Sequence, residues 1–284
     1  MKTAIVVLLA AVWAGCSVVE EPSSNASNAN PLNGTVSGGA AKYLHAFSHS
    51  HFAIGGTTTN KTELGRQKVV GPWGVFATHV KTGMTLALPN ADAPSRKAPP
   101  YPGGSPAHDA AVKAYFLGGG LPSEQIEGVQ VMTSVTGVAP PTDAEALPPP
   151  KLEAYFSKIT RQVQGIPVAE SFAWARINDK GEVVMESVYW PEIPSTVVAR
   201  ATAFAKNIAD STWNSSFMAK LPNTPGRLTI HHTPGTWEGA FEATVAFDVP
   251  RVGGRVLHFD ENGVGFELPD EKPGSWGYTP SQTK

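Results

Sequence analysis

Apolar and polar residues alternate most regularly between residues 155 and 190 of this chain. Three segments there alternate with a period of two, which is the period of a β-strand with one face turned toward a core: residues 155–164, 171–177 and 182–190. A glycine–proline step at residues 165–167 bends the chain after the first segment. A turn ending in glycine at residues 178–181 returns the third segment antiparallel to the second. The pattern therefore predicts a three-stranded meander.

The segment that follows the meander has the spacing of a helix. Val197, Ala201, Phe204 and Ile208 recur every three or four residues, so residues 196–208 would carry one apolar stripe. Both faces of the meander are partly apolar and need cover from another element. We therefore expect this helix to pack on one face of the meander.

Shorter apolar segments predict further elements on both sides. Residues 43–89 are rich in strand-forming residues, residues 107–117 have helical spacing, and residues 129–138 read as a strand. Four more strands are predicted after the second helix: residues 227–230, 241–249, 254–259 and 264–268. Helix and antiparallel sheet thus follow one another along the chain. This order predicts an α+β fold of antiparallel sheets, each covered by a helix.

The meander also carries a family resemblance. Residues 162–168, QVQGIPV, followed by a strand and the turn DKGEV at residues 179–183, resemble the FTP module of thermolysin- and fungalysin-type propeptides. The Ala-rich helix after Pro191 and Pro194 is similar to the PepSY unit that follows in such propeptides. The resemblance covers about residues 155–208 and implies tandem PepSY- or cystatin-like modules. It implies binding of a partner protein and no catalysis, and the sequence contains no H-E-x-x-H protease motif.

The first 15 residues have the pattern of an export signal. The apolar run at residues 4–12 is too short to span a bilayer. It ends in small residues before Cys16, the only cysteine, and this ending resembles a bacterial lipobox although Trp13 replaces the usual leucine. The resemblance implies acylation of Cys16 and a membrane anchor. Ordinary cleavage after Ala14 is the alternative, and both readings predict export to the cell envelope.

Composition divides the remainder of the chain. Residues 16–41 are dominated by Ser, Asn, Gly and Pro, which predicts a flexible tether. Residues 139–150 form a Pro-rich linker, and residues 271–284 a loose polar tail. Two regions able to form cores lie between them: an N-terminal β-rich α+β region at residues 42–138, and a PepSY/FTP-like α+β region at residues 151–270.

The charge content excludes some partners. The formal net charge is −2 over 284 residues, so no basic surface for nucleic acid is predicted. One cysteine excludes an intrachain disulfide, so packing alone must stabilise the fold.

Histidines are the only candidates for metal binding. His45, His49 and His51 are spaced so that two of them would share a face of a helix or strand. No Cys or acidic ligand lies beside them, so an exposed polar stretch next to the tether explains them better and no metal site is predicted. His231 and His232 are adjacent in a predicted strand and point to opposite faces, so at most one could line a site.

No motif predicts catalysis. The sequence lacks a G-x-S-x-G elbow, and the glycines at residues 118–120 follow a predicted helix, whereas a phosphate cradle requires glycines that open one. The leading prediction is a non-enzymatic, membrane-tethered lipoprotein, without cofactor, that binds a protein or peptide in the cell envelope. Scattered carboxylates keep open an exported hydrolase, and the three histidines near the tether keep open a metal-handling lipoprotein.

Overall fold

The computed structural model describes residues 59–63, 66–79, 81–136, 151–235, 241–250 and 256–268. The predicted signal peptide, tether, linker and tail lie outside the described residues, as do Cys16, His45, His49 and His51. Within the described ranges, three helices pack on a mixed, mostly antiparallel sheet of 12 strands. The predicted α+β fold class is confirmed.

The elements are labelled here in chain order. The strands are β1 (Thr59–Glu63), β2 (Arg66–Gly71), β3 (Gly74–His79), β4 (Thr85–Pro89), β5 (Ile126–Thr136), β6 (Lys151–Val163), β7 (Ile166–Ile177), β8 (Val183–Tyr189), β9 (Arg227–His232), β10 (Ala243–Pro250), β11 (Val256–Phe259) and β12 (Gly265–Phe266). The helices are α1 (Gly104–Gly118), α2 (Ser195–Ala209) and α3 (Ser211–Met218).

Strand β7 joins the two halves of the sheet. Strand β6 lies along one edge of β7, and β5 lies outside β6. The other edge of β7 is shared: β8 pairs antiparallel with Phe172 to Ile177, and β9 pairs in parallel at Val168. The sheet therefore runs β1-β2-β3-β4-β8-β7 on one side and continues as β9-β10-β11-β12 on the other.

The predicted meander is confirmed as β6, β7 and β8. Its first turn is one residue earlier than predicted, because Val163 pairs with Ile166 and leaves Gln164 and Gly165 as the two loop residues. Their φ angles are 52° and 80°, and a type I′ hairpin turn requires a positive φ at both central residues. Pro167 lies inside β7, so it does not form the bend.

The second turn of the meander is held by one side chain. Asn178 Oδ1 accepts hydrogen bonds from the backbone N–H groups of Lys180 and Glu182, at 3.0 and 2.9 Å. Gly181 has a φ of 76°, which favours glycine at this position. Beyond this turn, Trp174 of β7 pairs with Ser187 of β8.

The helices cover the sheet differently from the prediction. Helix α2 does bury Ala201 and Phe204, but its core includes β9 and β10 and only the first residues of β7. The meander is covered mainly by α1, whose Val112 and Phe116 pack against Ala173 and neighbouring residues. The spacing of apolar residues predicts that α2 has an apolar face. Which strands this face contacts depends on the path of the chain from β8 to β9.

A bulge in β7 positions two polar residues, Glu170 and Ser171. Thr160 of β6 pairs with Phe172, but the adjacent Arg161 pairs with Val168. Residues 169–171 are therefore extra on β7, and a bulge of this kind redirects side chains. It brings Glu170 and Ser171 against β9.

Candidate functional site

Four ionisable side chains form a buried cluster across β7, β9, β10 and β11. His231 Nδ1 lies 2.9 Å from Glu170 Oε1, and His231 Nε2 lies 3.0 Å from both carboxylate oxygens of Asp248. His258 Nδ1 lies 2.7 Å from Asp248 Oδ1. His231, Asp248 and His258 are all less than a tenth exposed. The cluster ties four strands together through side chains.

The contacts fix the protonation of His231. Carboxylate oxygens only accept hydrogen bonds when ionised, so both ring nitrogens of His231 must carry protons. Burial by itself would lower the pKa of His231, but the bonds to Asp248 and Glu170 outweigh it and raise this pKa to about 9. The same bonds outweigh burial in the two acids and lower the pKa of Asp248 and of Glu170. The resting cluster is an imidazolium between two carboxylates.

His232 faces a different set of partners. Its Nδ1 lies 2.8 Å from the Thr233 carbonyl and must donate, so Nε2 accepts the Ser171 hydroxyl proton at 2.8 Å. Burial lowers the pKa of His232 to about 4, which keeps it neutral. This tautomer is the one that a serine–histidine dyad needs. Ser171 is only 1% exposed, however, and its oxygen also accepts from Arg161.

The Ser171–His232 pair has a clear structural role. Strands β7 and β9 share a single backbone pair, Val168 with Ile230. Glu170 extends this short contact by accepting from the His232 backbone N–H at 2.9 Å, and Ser171 extends it by donating to the His232 ring. Side-chain hydrogen bonds thus hold the two halves of the sheet where the backbone ladder is short.

A second serine, histidine and aspartate meet beneath α1. His108 Nε2 accepts the backbone N–H of Ile177 at 3.0 Å, so the proton lies on Nδ1 and is donated to Ser157 Oγ at 2.6 Å. Ser157 then donates to Asp109 at 2.5 Å. This direction is the reverse of the one that would activate a serine, because the histidine gives a proton to the hydroxyl. The network joins α1 to the sheet.

A groove of about 670 Å³ lies between α2 and the end of β6. Its polar lining includes Arg161, Gln164, Glu192, Thr202 and Lys206, and it contains no histidine or cysteine. Arg161 is buried and donates to Gln125 and to the Pro191 carbonyl. The groove therefore offers polar contacts, and the Thr202 hydroxyl in its lining donates to Gln164 and to the Val198 carbonyl.

Strand β5 forms the longest edge of the sheet within the described residues. It has 11 residues and pairs only with β6 there. Gln130, Val131, Met132 and Thr133 are all exposed, so both faces of the strand are open to solvent. The exposed fractions of Val131 and Met132 are 39% and 50%. Glu127 is the only charged residue of β5, and the strand contains no proline.

An aromatic surface adjoins this edge on the sheet face opposite α1. Met132 pairs with Phe156 of β6, and the Phe156 ring meets the Trp174 ring edge-on with centroids 6.2 Å apart. The Lys158 ammonium lies 5.7 Å from the centre of the Phe172 ring. Phe156, Phe172 and Trp174 remain partly exposed. The open edge and this apolar surface are continuous.

The predicted site residues fall into two groups. Cys16 and the three histidines near the tether lie outside the described residues, and their roles stay predictions. His231 and His232 are described, and both are buried with partners on different sides. Sequence reasoning missed Glu170, Asp248 and His258. A carboxylate inside the apolar strand ATVAFDVP was the available signal for Asp248.

Comparison with protein-family models, curated proteins and solved structures found no match. In the described part of the chain, every helix is too short or too polar to cross a membrane. The fold belongs to the α+β class. The resemblance to FTP and PepSY modules stays a prediction.

Proposed function

We propose that this chain is a non-enzymatic binding protein of the cell envelope, anchored by lipid at Cys16, that holds an extended segment of a partner protein or peptide along β5. The observation that carries the proposal is the β5 edge, which has 11 residues, pairs only with β6 among the described residues, and is exposed on both faces at residues 130–133. A partner strand would complete the backbone hydrogen bonds of this edge.

The composition of β5 supports this role. Folded proteins usually protect sheet edges with lysine, proline, short strands or bulges, since an open edge invites pairing. The edge strand β1 carries Lys61, and β12 has only two residues. Strand β5 has neither lysine nor proline along its 11 residues. Its pairing with β6 has one irregularity near each end. An 11-residue edge strand protected only by these two irregularities is more typical of a surface that pairs with another strand than of an edge that stays unpaired.

The surroundings of β5 define the chemistry of the partner. A strand added at this edge would place alternate side chains beside Met132 and the partly exposed Phe156. Apolar or β-branched side chains bury well there, whereas a charge would lose hydration without gaining an opposite charge on β5 beyond Glu127. The expected ligand is an extended segment with few charges and apolar residues at every second position.

The hydrolase alternative gains no support from the described residues. Both serine–histidine pairs are buried and satisfied by neighbouring groups, and in one of them the proton runs in the wrong direction for activation. A nucleophile that no substrate can reach does not catalyse hydrolysis. A binding role requires only the exposed edge.

A peptide selection tests the proposal directly. Decapeptides displayed on phage are selected on the full chain and then compared on two variants. Met132→Lys places a charge on the exposed edge without disturbing a core, and Val264→Lys is the matched control at a residue 57% exposed in a distant hairpin. We expect selected peptides to alternate apolar residues, to bind the Val264→Lys variant like the parent, and to lose binding to the Met132→Lys variant.

Hydrogen exchange then locates the bound peptide. Binding should slow amide exchange within residues 126–136, because backbone groups on the open edge become paired. Equal binding to both variants would refute the proposal, and so would protection of the α2 groove in place of β5. If the chain forms dimers through β5 and the selection yields no binding peptide, the edge pairs with a second copy of the chain instead.

A further inference from the structure

We propose that His231, Asp248 and His258 bind a divalent transition-metal ion, such as zinc, between β9, β10 and β11. The proposal goes beyond the binding role of β5 and involves a different part of the sheet. Two imidazoles and one carboxylate form the mixed nitrogen and oxygen donor set that such ions prefer. The potential donor atoms of the three residues lie within 4.8 Å of one another.

The distances in the cluster are close to those of a metal centre. Two ligand atoms of a tetrahedral zinc ion lie about 3.4 Å apart, as bond lengths near 2.1 Å require. His231 Nε2 and Asp248 Oδ1 are 3.0 Å apart, and His258 Nδ1 and Asp248 Oδ1 are 2.7 Å apart. An outward shift of about half an ångström would admit the ion. The two imidazole rings already lie with their centroids 4.9 Å apart and steeply inclined.

The surroundings supply the supporting groups of a metal ligand. A metal-bound histidine usually donates its second ring N–H to a carboxylate, which fixes its orientation. Glu170 accepts from His231 Nδ1 in this way, and Glu170 is itself held by the His232 backbone N–H. Thr229 lies near enough to Asp248 to stabilise its charged form. The buried Thr229 hydroxyl has no partner in good hydrogen-bond geometry among the described residues. A water molecule bound to the metal ion would have this hydroxyl as a hydrogen-bond partner.

Metal binding exchanges one cation for another. The ion takes the Nε2 lone pair of His231 and the Nδ1 lone pair of His258 after each nitrogen has lost the proton that it donates to Asp248, and it takes a lone pair from Asp248. The His231 Nε2 proton leaves to solvent, and the His258 Nδ1 proton leaves to solvent or to Nε2 of the same ring. His231 keeps the Nδ1 proton that it donates to Glu170. Because the ligands come from β9, β10 and β11, the ion would cross-link three neighbouring strands and stabilise the fold on binding.

Cobalt titration provides the test. The full chain is treated with a chelator, freed of it, and titrated with cobalt(II) alone, whose visible absorption reports nitrogen and oxygen ligands in a distorted tetrahedral site. We expect one ion per chain, displacement by zinc, and a higher melting temperature with zinc than without. Asp248→Asn and His258→Gln should each abolish the absorption. Glu170→Gln should weaken binding roughly 10- to 100-fold, since it acts through His231.

The controls separate this site from the histidines near the tether. Replacing His45, His49 and His51 together by alanine should leave the signal unchanged, as should Glu242→Gln at an exposed carboxylate. Circular dichroism without metal shows whether each variant folds, and His258→Gln remains informative if Asp248→Asn does not. The proposal is wrong if the parent takes up no ion, or if uptake persists in folded His258→Gln protein. Loss of peptide binding at β5 would not bear on either result.

Discussion

Glu186 should make the stability of this protein depend on pH, because its carboxyl is completely buried in β8. One of its oxygens accepts the Tyr115 hydroxyl, whereas Oε1 has no hydrogen-bond partner among the described residues. Burial raises the pKa of Glu186 from 4.5 to about 7, against the opposing effect of the Tyr115 bond. Between about pH 4.5 and pH 7 the folded protein thus holds a proton that the unfolded chain would release.

The sign and size of the effect follow from this difference. Between pH 4.5 and 7 the folded state binds more protons than the unfolded state, so the free energy of unfolding falls as pH rises. The rise in pKa from 4.5 to about 7 corresponds to about 3 kcal/mol, most of which is lost between pH 5 and pH 8. The side chain is fully buried, so solvent does not screen this contribution. Glu186→Gln has the same shape and cannot ionise, so it should remove the loss.

Urea unfolding followed by tryptophan fluorescence measures the effect at pH 5, 6.5 and 8. Histidines also titrate in this range, so the informative quantity is the difference between the variant and the parent at each pH. We expect Glu186→Gln to become more stable relative to the parent by about 2 to 3 kcal/mol from pH 5 to pH 8. Tyr115→Phe removes the bond that favours the ionised form and should shift the parent's loss to higher pH. A difference that stays constant across the three pH values would refute the reasoning.

Four other variants have expected outcomes. Phe204→Ala should lower the free energy of unfolding by about 3 to 5 kcal/mol by leaving a cavity under α2, while Lys206→Ala on its exposed side should cost almost nothing; urea melts compare them. Ser157→Ala should cost about 1 to 3 kcal/mol in the same assay, because the His108 Nδ1–H loses its buried acceptor. Cys16→Ala should move the protein from the membrane fraction to the soluble fraction, and unchanged fractionation would contradict lipid anchoring.

Local patterns in the sequence predicted the elements well. The strands of the meander, the strands after it and the helices α1 and α2 all appear close to their predicted positions. Alternation and helical spacing are short-range properties of the chain, so they are readable without knowledge of the fold. The first turn of the meander lies one residue earlier than the sequence predicts. Pro167 suggests a bend at residues 165–167, but the positive φ angles at Gln164 and Gly165 form the turn.

The buried cluster could not be predicted in the same way. Glu170 precedes its partner His231 by 61 residues, and Asp248 follows it by 17. Their meeting depends on the bulge in β7 and on the parallel pairing of β7 with β9, neither of which leaves a periodic signal. The rule that adjacent strand residues face opposite sides did apply to His231 and His232. It could not show that both sides are occupied by polar partners.

The sequence by itself determined the α+β class, the strand and helix segments and the presence of an uncharged strand, VQVMTSV, before the Pro-rich linker. These follow from side-chain size, polarity and spacing, which act over a few residues. The tertiary structure decided that β5 lies at an edge, that α1 covers the meander, and that Glu170, His231, Asp248 and His258 converge. Strand order and long-range contact arise from the packing of the whole sheet, because many chain orders bury the same apolar faces and only one of them brings these side chains together.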